Sequence, residues 1–190
     1  MLECGAVKIV LAPRIWHNFP YFPHPSHLSH FFNLITLFTD GSARGNPGPG
    51  GYGAILRYGP HEKELAQGYR RTTNNRMELL AVIMGLEAVT RPDIPVLVIS
   101  DSKYVVDAVE KRWVFGWEKR PDFGKKANPD LWRRFLAVYR QRKVSFRWIK
   151  GHAGHAENER CDVLAVQSAL GKGLLIDEGF ERAQAATSLL

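Results

Sequence analysis

Apolar and polar positions change period several times along the chain, and the changes mark its elements. Leu34, Thr36, Phe38 and Asp40 alternate on one face of an extended run, with Ile35 and Leu37 on the other. A strand with apolar residues on both faces belongs at the centre of a sheet. This one delivers a carboxylate, Asp40, to the start of a turn rich in Gly, Asn and Pro. Residues 51–58 (GYGAILRY) and 65–72 (LAQGYRRT) read as two further strands in an antiparallel meander, with Gly59-Pro60 opening their connection. From residue 76 to 90 the period lengthens. Leu79, Val82, Ile83 and Leu86 recur at helical spacing and predict a core-facing stripe, with Glu78 at its border.

Val96 to Ser100 (VLVIS) is continuously apolar, as a buried parallel strand is, and Asp101 ends it. Ser102 is placed to cap a helix from Lys103. That helix runs into a stretch where Trp113, Phe115 and Trp117 alternate with Lys and Arg. A helix over residues 129–140, a strand over 144–149, the loop KGHAGH and a helix from about Glu157 follow. In the last, Cys161, Leu164, Ala165 and Ser168 form an inner face with Asp162 at its edge. Beyond Gly171 the pattern weakens, and a short helix over 180–190 is all it supports. The order β-β-β-α-β-α-α-β-α predicts an α/β fold: a mixed five-stranded sheet, three strands antiparallel and then two parallel, flanked by helices.

Residues 1–32 stand outside this order. They mix Pro, His and aromatics without period, and the irregular spacing of His17, His24, His27 and His30 supplies no metal site, so a flexible extension is expected. The organisation is then an extension over 1–32, one domain over 33–171 and a tail over 172–190. With 190 residues and 45% hydrophobic content the chain can bury one good core. Its formal charge of +7 points to a polyanionic partner. Two cysteines, Cys4 and Cys161, make neither a disulfide framework nor a zinc spacing, which suits a reducing, cytoplasmic setting. No apolar run approaches the roughly 18 residues of a membrane span, and no secretory signal is evident.

Asp40, Glu78, Asp101 and Asp162 share a pattern, each at the edge or end of an otherwise apolar element. One such acid is ordinarily a cap or a surface charge. Four brought together would repel one another unless cations neutralised them. Oxygen-only donors suit Mg²⁺ or Mn²⁺, and two such ions can activate water and stabilise a leaving oxygen at a phosphodiester.

TDGSARGNPGPGGYG, TTNNRMEL, SDSKYV and KGHAGHAENERCDVLA resemble, in order and spacing, the motifs of ribonuclease HI, the bacterial type 1 ribonuclease H family, over about residues 34 to 170. The resemblance implies the ribonuclease H fold and an endonuclease that hydrolyses the RNA strand of RNA–DNA hybrids with two Mg²⁺, leaving 5′-phosphate and 3′-hydroxyl ends. By motif position, it makes Asp40, Glu78, Asp101 and Asp162 the metal-binding catalytic carboxylates. It makes His152 a loop residue that assists proton transfer or product release, work that suits an imidazole between glycine-rich turns. Glu159, close to Asp162, could tune the site. Gly41, Ser42, Asn46, Thr73, Asn74, Asn75 and Arg76 would meet the hybrid's sugars and phosphates. Residues 111–128 resemble a basic protrusion, with Trp113, Trp117 and Asn128 toward the DNA strand, though this version is a few residues shorter than usual. A monomer is expected. Two rivals remain open: a strand-transfer or junction-cleaving enzyme on the same fold, and a silent nucleic-acid-binding module. The first lacks this combination of motifs, and the second would have lost at least one acid.

Overall fold

Strand β1 (Ile35–Ala43) lies mid-sheet, as its two apolar faces require. In the computed structural model, which describes residues 33–187, it pairs antiparallel with β2 (Gly48–Tyr58), and β2 pairs antiparallel with β3 (His61–Thr72). On its other side β1 runs parallel to β4 (Val96–Ser100), which runs parallel to β5 (Val144–Trp148). The sheet is five-stranded in the order β3-β2-β1-β4-β5, the mixed arrangement that the patterning predicts. The expected extension over 1–32, with its histidines, lies outside the described residues.

Helix α1 (Asn74–Glu87) begins two residues earlier than expected, just after Thr73, whose extended backbone caps it without a side-chain bond. Its stripe Leu79, Val82, Ile83 and Leu86 is completely buried. The helix packs on β1 and β2 with one side and on α4 (Pro129–Tyr139) with the other, so Met77, Leu80 and Ala81 are buried as well. Each of the buried Leu, Val, Ile and Met side chains contributes about 1.5–3 kcal/mol of apolar burial.

Between β4 and β5 the chain makes α2 (Lys103–Glu110), α3 (Trp113–Glu118), a short 3-10 turn (Pro121–Lys125) and α4, one α-helix more than the pattern predicts. The break falls at Arg112, whose φ of 59° ends one helix and turns the next. Ser102 caps α2 as expected, accepting the Val105 N–H at 3.3 Å.

Helix α5 (Ala156–Leu170) lies across β1, β2 and β3. It rests on glycine. A β-carbon at Gly51 would meet the Ala165 carbonyl oxygen at 2.5 Å, one at Gly53 that of Cys161 at 2.2 Å, and one at Gly68 that of Ser168 at 1.9 Å. The segment expected as a tail then returns to the sheet: Leu175 donates to the Gly68 carbonyl and accepts from the Arg70 N–H, both at 2.9 Å. Its helix, α6, spans Glu178–Thr187. Among the described residues no helix is long and apolar enough to cross a membrane.

Candidate active site

Each of the four acids is placed by a backbone contact that can be traced to Asp40. Asp40 sits near the C-terminal end of β1. The parallel register pairs Thr39 with Ser100, which sets Asp101 beside it at the end of β4. On the other side the antiparallel register pairs Asp40 with Gly53, and Gly53 is where the Cys161 backbone comes down on the sheet, bringing Asp162 with it. Gly41 lets the start of α1 approach just as closely: a β-carbon there would lie 2.1 Å from the Glu78 nitrogen. Strand end, crossing helix and helix start therefore converge.

The electrostatics record that convergence. Asp40 is pushed up to about 8, by burial first and then by the charges of Asp101, Asp162 and Glu78, against the pull of the Gly41 N–H, which donates to its carboxylate at 2.7 Å. Glu78 is raised too, by burial and by Asp101, although Ser102 Oγ at 2.5 Å and Asn74 Nδ2 at 2.9 Å donate to its two oxygens. Asp101 is held by two donors: Asn158 Nδ2 at 3.2 Å from its carboxylate and Trp148 Nε1 at 2.9 Å from its carbonyl. The Cys161 thiol is pushed far up by burial and by Asp40, so it cannot serve as a nucleophile.

Among the described residues, no cationic side chain hydrogen-bonds to these acids. The donor set is all oxygen, which fits Mg²⁺ or Mn²⁺. Among the described residues no three His, Cys, Asp or Glu side chains form a set that could hold a metal by themselves.

His152 is exposed on the β5–α5 loop with φ at 53°, a conformation that costs a side chain about 1 kcal/mol. Its neighbour Gly151 abuts the site, where a β-carbon would lie 2.5 Å from the Asp101 carboxylate. Glu159, expected to tune the acids, is exposed; the residue that touches Asp101 is Asn158, one position earlier and 3% exposed.

Around this centre, Gly41 is buried, Ser42 half-buried, and Asn46 exposed, its side chain accepting the Asn74 N–H at 3.3 Å. Thr73 is half-buried and Asn75 exposed. Arg76 departs from expectation: instead of facing a substrate, it is 3% exposed. All five of its N–H donors are engaged, by both oxygens of Asp177, both oxygens of Asp130 and, at 3.4 Å, by Asn128. None is left for a ligand. Trp113 and Trp117 lie on α3, and Asn128 precedes α4. Trp113 is 48% exposed with Lys111 Nζ 4.9 Å over its ring, and Trp117 packs edge-on against Trp132 at 5.9 Å. Asn128 donates to the Tyr104 hydroxyl at 3.0 Å.

The fold and these motifs can be compared with known proteins. A family model for RNase H matches residues 33–170. The chain belongs to the ribonuclease H family. A Ribonuclease H of Nitratidesulfovibrio vulgaris is 52% identical over 150 residues, covering 77% of this chain and 96% of the relative. That of Desulforamulus reducens is 51% identical over 147 residues, covering 75% and 92%. Among solved structures, LC9-RNase H1, a type 1 RNase H with the type 2 active-site motif, is 34% identical with a TM-score of 0.64 over 80% of this chain and 81% of that one. RNase H1 of the archaeon Halobacterium salinarum is 27% identical with a TM-score of 0.54 over 71% and 96%. The ribonuclease H identity makes the chain an enzyme, a hydrolase of nucleic acid.

Sequence reasoning missed three groups at this ribonuclease H site. Ser102 was legible as a helix cap but also donates to Glu78. Asn158 lies one helical turn before Asp162, a spacing that could have found it. Trp148, 42% exposed, carried no signal beyond its strand position.

Proposed function

We propose that this chain is a metal-dependent endoribonuclease that hydrolyses the RNA strand of RNA–DNA hybrids, leaving 5′-phosphate and 3′-hydroxyl ends. The observation that carries the reading is the uncompensated acid cluster, in which Asp40 is pushed up to about 8 by burial and by three carboxylates. Asp40, Glu78, Asp101 and Asp162 would hold two Mg²⁺, with Mn²⁺ as a substitute. Divalent cations bound there supply charge neutralisation, an activated water and stabilisation of the leaving oxygen. The protein's own groups orient the donors. Ser102 and Asn74 fix the two oxygens of Glu78, and Asn158 and Trp148 fix Asp101. His152, on its exposed loop, moves a proton or eases product release.

The formal charge of +7 supports a duplex polyanion as partner, with phosphate contacts that weaken in salt. Gly41, Ser42, Asn46, Asn74 and Asn75 would read the sugars, where the 2′-hydroxyl separates RNA from DNA. Thr73, Asn128, Trp113 and Trp117 would receive the DNA strand. Arg76 takes no direct part. The enzyme acts as a cytoplasmic monomer in this reading.

The test is cleavage of a labelled hybrid with Mg²⁺, beside duplex DNA, duplex RNA and an EDTA control. Cutting confined to the RNA strand of the hybrid and lost with EDTA is expected. Cutting of duplex DNA would favour the strand-transfer reading, and binding without cutting a silent module.

A further inference from the structure

The segment beyond the family match carries a buried carboxylate, Asp177, whose side-chain partners lie about a hundred positions earlier; the Phe180 N–H also donates to it at 3.3 Å. We propose that Asp177 is a positioning residue for the DNA-strand side of the binding surface, holding the start of α1 and the start of α4 at a fixed separation and so placing Thr73 and Asn128. The proposal rests on the reading of the chain as a hybrid-cleaving enzyme.

The geometry supports it at each joint. Asp177 is 7% exposed and accepts Thr72 Oγ1 at 2.6 Å and Arg76 Nε and Nη2, each at 2.7 Å. Thr72 immediately precedes Thr73, so the carboxylate grips the residue that leads into the cap of α1. Arg76 then reaches across to α4, where its other donors meet Asp130 at 2.9 and 2.7 Å and Asn128 at 3.4 Å. One guanidinium thus ties three segments, and its planar fork leaves little freedom in their spacing. The lid is equally tight: a β-carbon at Gly179 would lie 2.0 Å from the Asp130 carboxylate and 3.0 Å from Arg76 Nη2. α6 therefore starts directly over the ion cluster. Asn128 has φ at 59° and makes no side-chain capping bond to α4; among the described residues its side chain is held by Arg76 and Tyr104.

A merely stabilising role would lower Tm without a selective effect on substrate binding, and the experiment separates the two. The full-length Asp177→Asn variant keeps the shape and loses the charge. Below its Tm, it is expected to raise KM for the hybrid about tenfold while kcat stays within about threefold. Arg70→Ala, which releases the exposed Arg70–Glu181 tie of the same segment, is expected to leave KM within about twofold. Equal KM values for Asp177→Asn and wild type, or an equal rise in Arg70→Ala, would overturn the proposal. Hydrogen exchange gives a readout independent of activity. Backbone amides of residues 73–75 and 131–132 should exchange at least about tenfold faster in Asp177→Asn, with α5 unchanged; unaltered exchange at both helix starts would also overturn it. Should Asp177→Asn fail to fold, Thr72→Val removes only one of the carboxylate's bonds and is read the same way. A wild-type protein that folds but leaves the hybrid intact would sink the functional reading instead, and the exchange comparison would still judge the positioning.

Discussion

Two groups of acids flank the start of α1, two residues apart on the helix, and they are built on opposite terms. At Arg76 the carboxylates of Asp130 and Asp177 close around a guanidinium. At Glu78 the carboxylates of Asp40, Asp101 and Asp162 close around one another. Asp130 is held below the ordinary carboxylate range: burial works against it, and Arg76 more than offsets burial. Asp40 is driven up to about 8 by the same kind of burial with no cation to oppose it. The first cluster is complete within the protein. The second would be completed by a bound cation, and that difference, more than the count of acids, supports reading it as the proposed site.

The sharpest break of this comparison is Asp40→Asn. It should lower hybrid cleavage by about a thousandfold or more, the equivalent of several kcal/mol of lost metal-centred stabilisation. It should also relieve repulsion, so that metal-free Tm rises by about 2–4 °C while hybrid binding persists. Normal turnover, or a lower Tm, would deny the two-sided role. Next in size is Arg76→Met. It strands Asp177 in the interior and should destabilise the fold by about 3–5 kcal/mol in denaturant titrations. A loss under about 1 kcal/mol would show that the completed cluster is not the anchor it resembles.

The smallest effect is the pH response. Asp40 rises from an ordinary 3.8 to about 8, so between those values the folded chain keeps a proton that the unfolded chain has lost. Metal-free stability therefore falls as pH climbs from about 4 to about 8, by on the order of 1–3 kcal/mol. Asp130 has the opposite sign: its contribution is present above 3.8 and is lost as pH falls through its lowered folded pKa. Scanning Tm from pH 5 to 8 should show the decline, and Mg²⁺ should raise Tm more at pH 8 than at pH 5, because the cation needs the deprotonated carboxylates. A flat metal-free profile would erase the contrast between the clusters.

Much of the first cluster's surroundings was illegible in the sequence, and the reason is separation. Strand β1, the stripe of α1 and the run VLVIS announce themselves through local period, and the family motifs carry the acids in order. Arg76 gives no such sign. A basic residue beside two asparagines reads as a surface group, and only its distant partners, Asp130 and Asp177, turn it inward. The segment after Gly171 hid for the same reason: its hold is Asp177, Phe180, the Arg70–Glu181 pair and two backbone bonds to β3, too few residues to make a pattern. The break at Arg112 was missed because its aromatic neighbours obscure helical period on both sides.

The seating of α5 on bare glycine bears on how this enzyme can drift. In most cores a helix rides on side chains, and a lost or gained methyl raises or lowers it by a fraction of an ångström. At Gly51, Gly53 and Gly68 there is no such cushion, and peptide rests on peptide. The height of the helix above the sheet is then a constant of main-chain geometry, indifferent to repacking elsewhere. Generations of substitutions can pass through the rest of the core while Asp162 stays where it is.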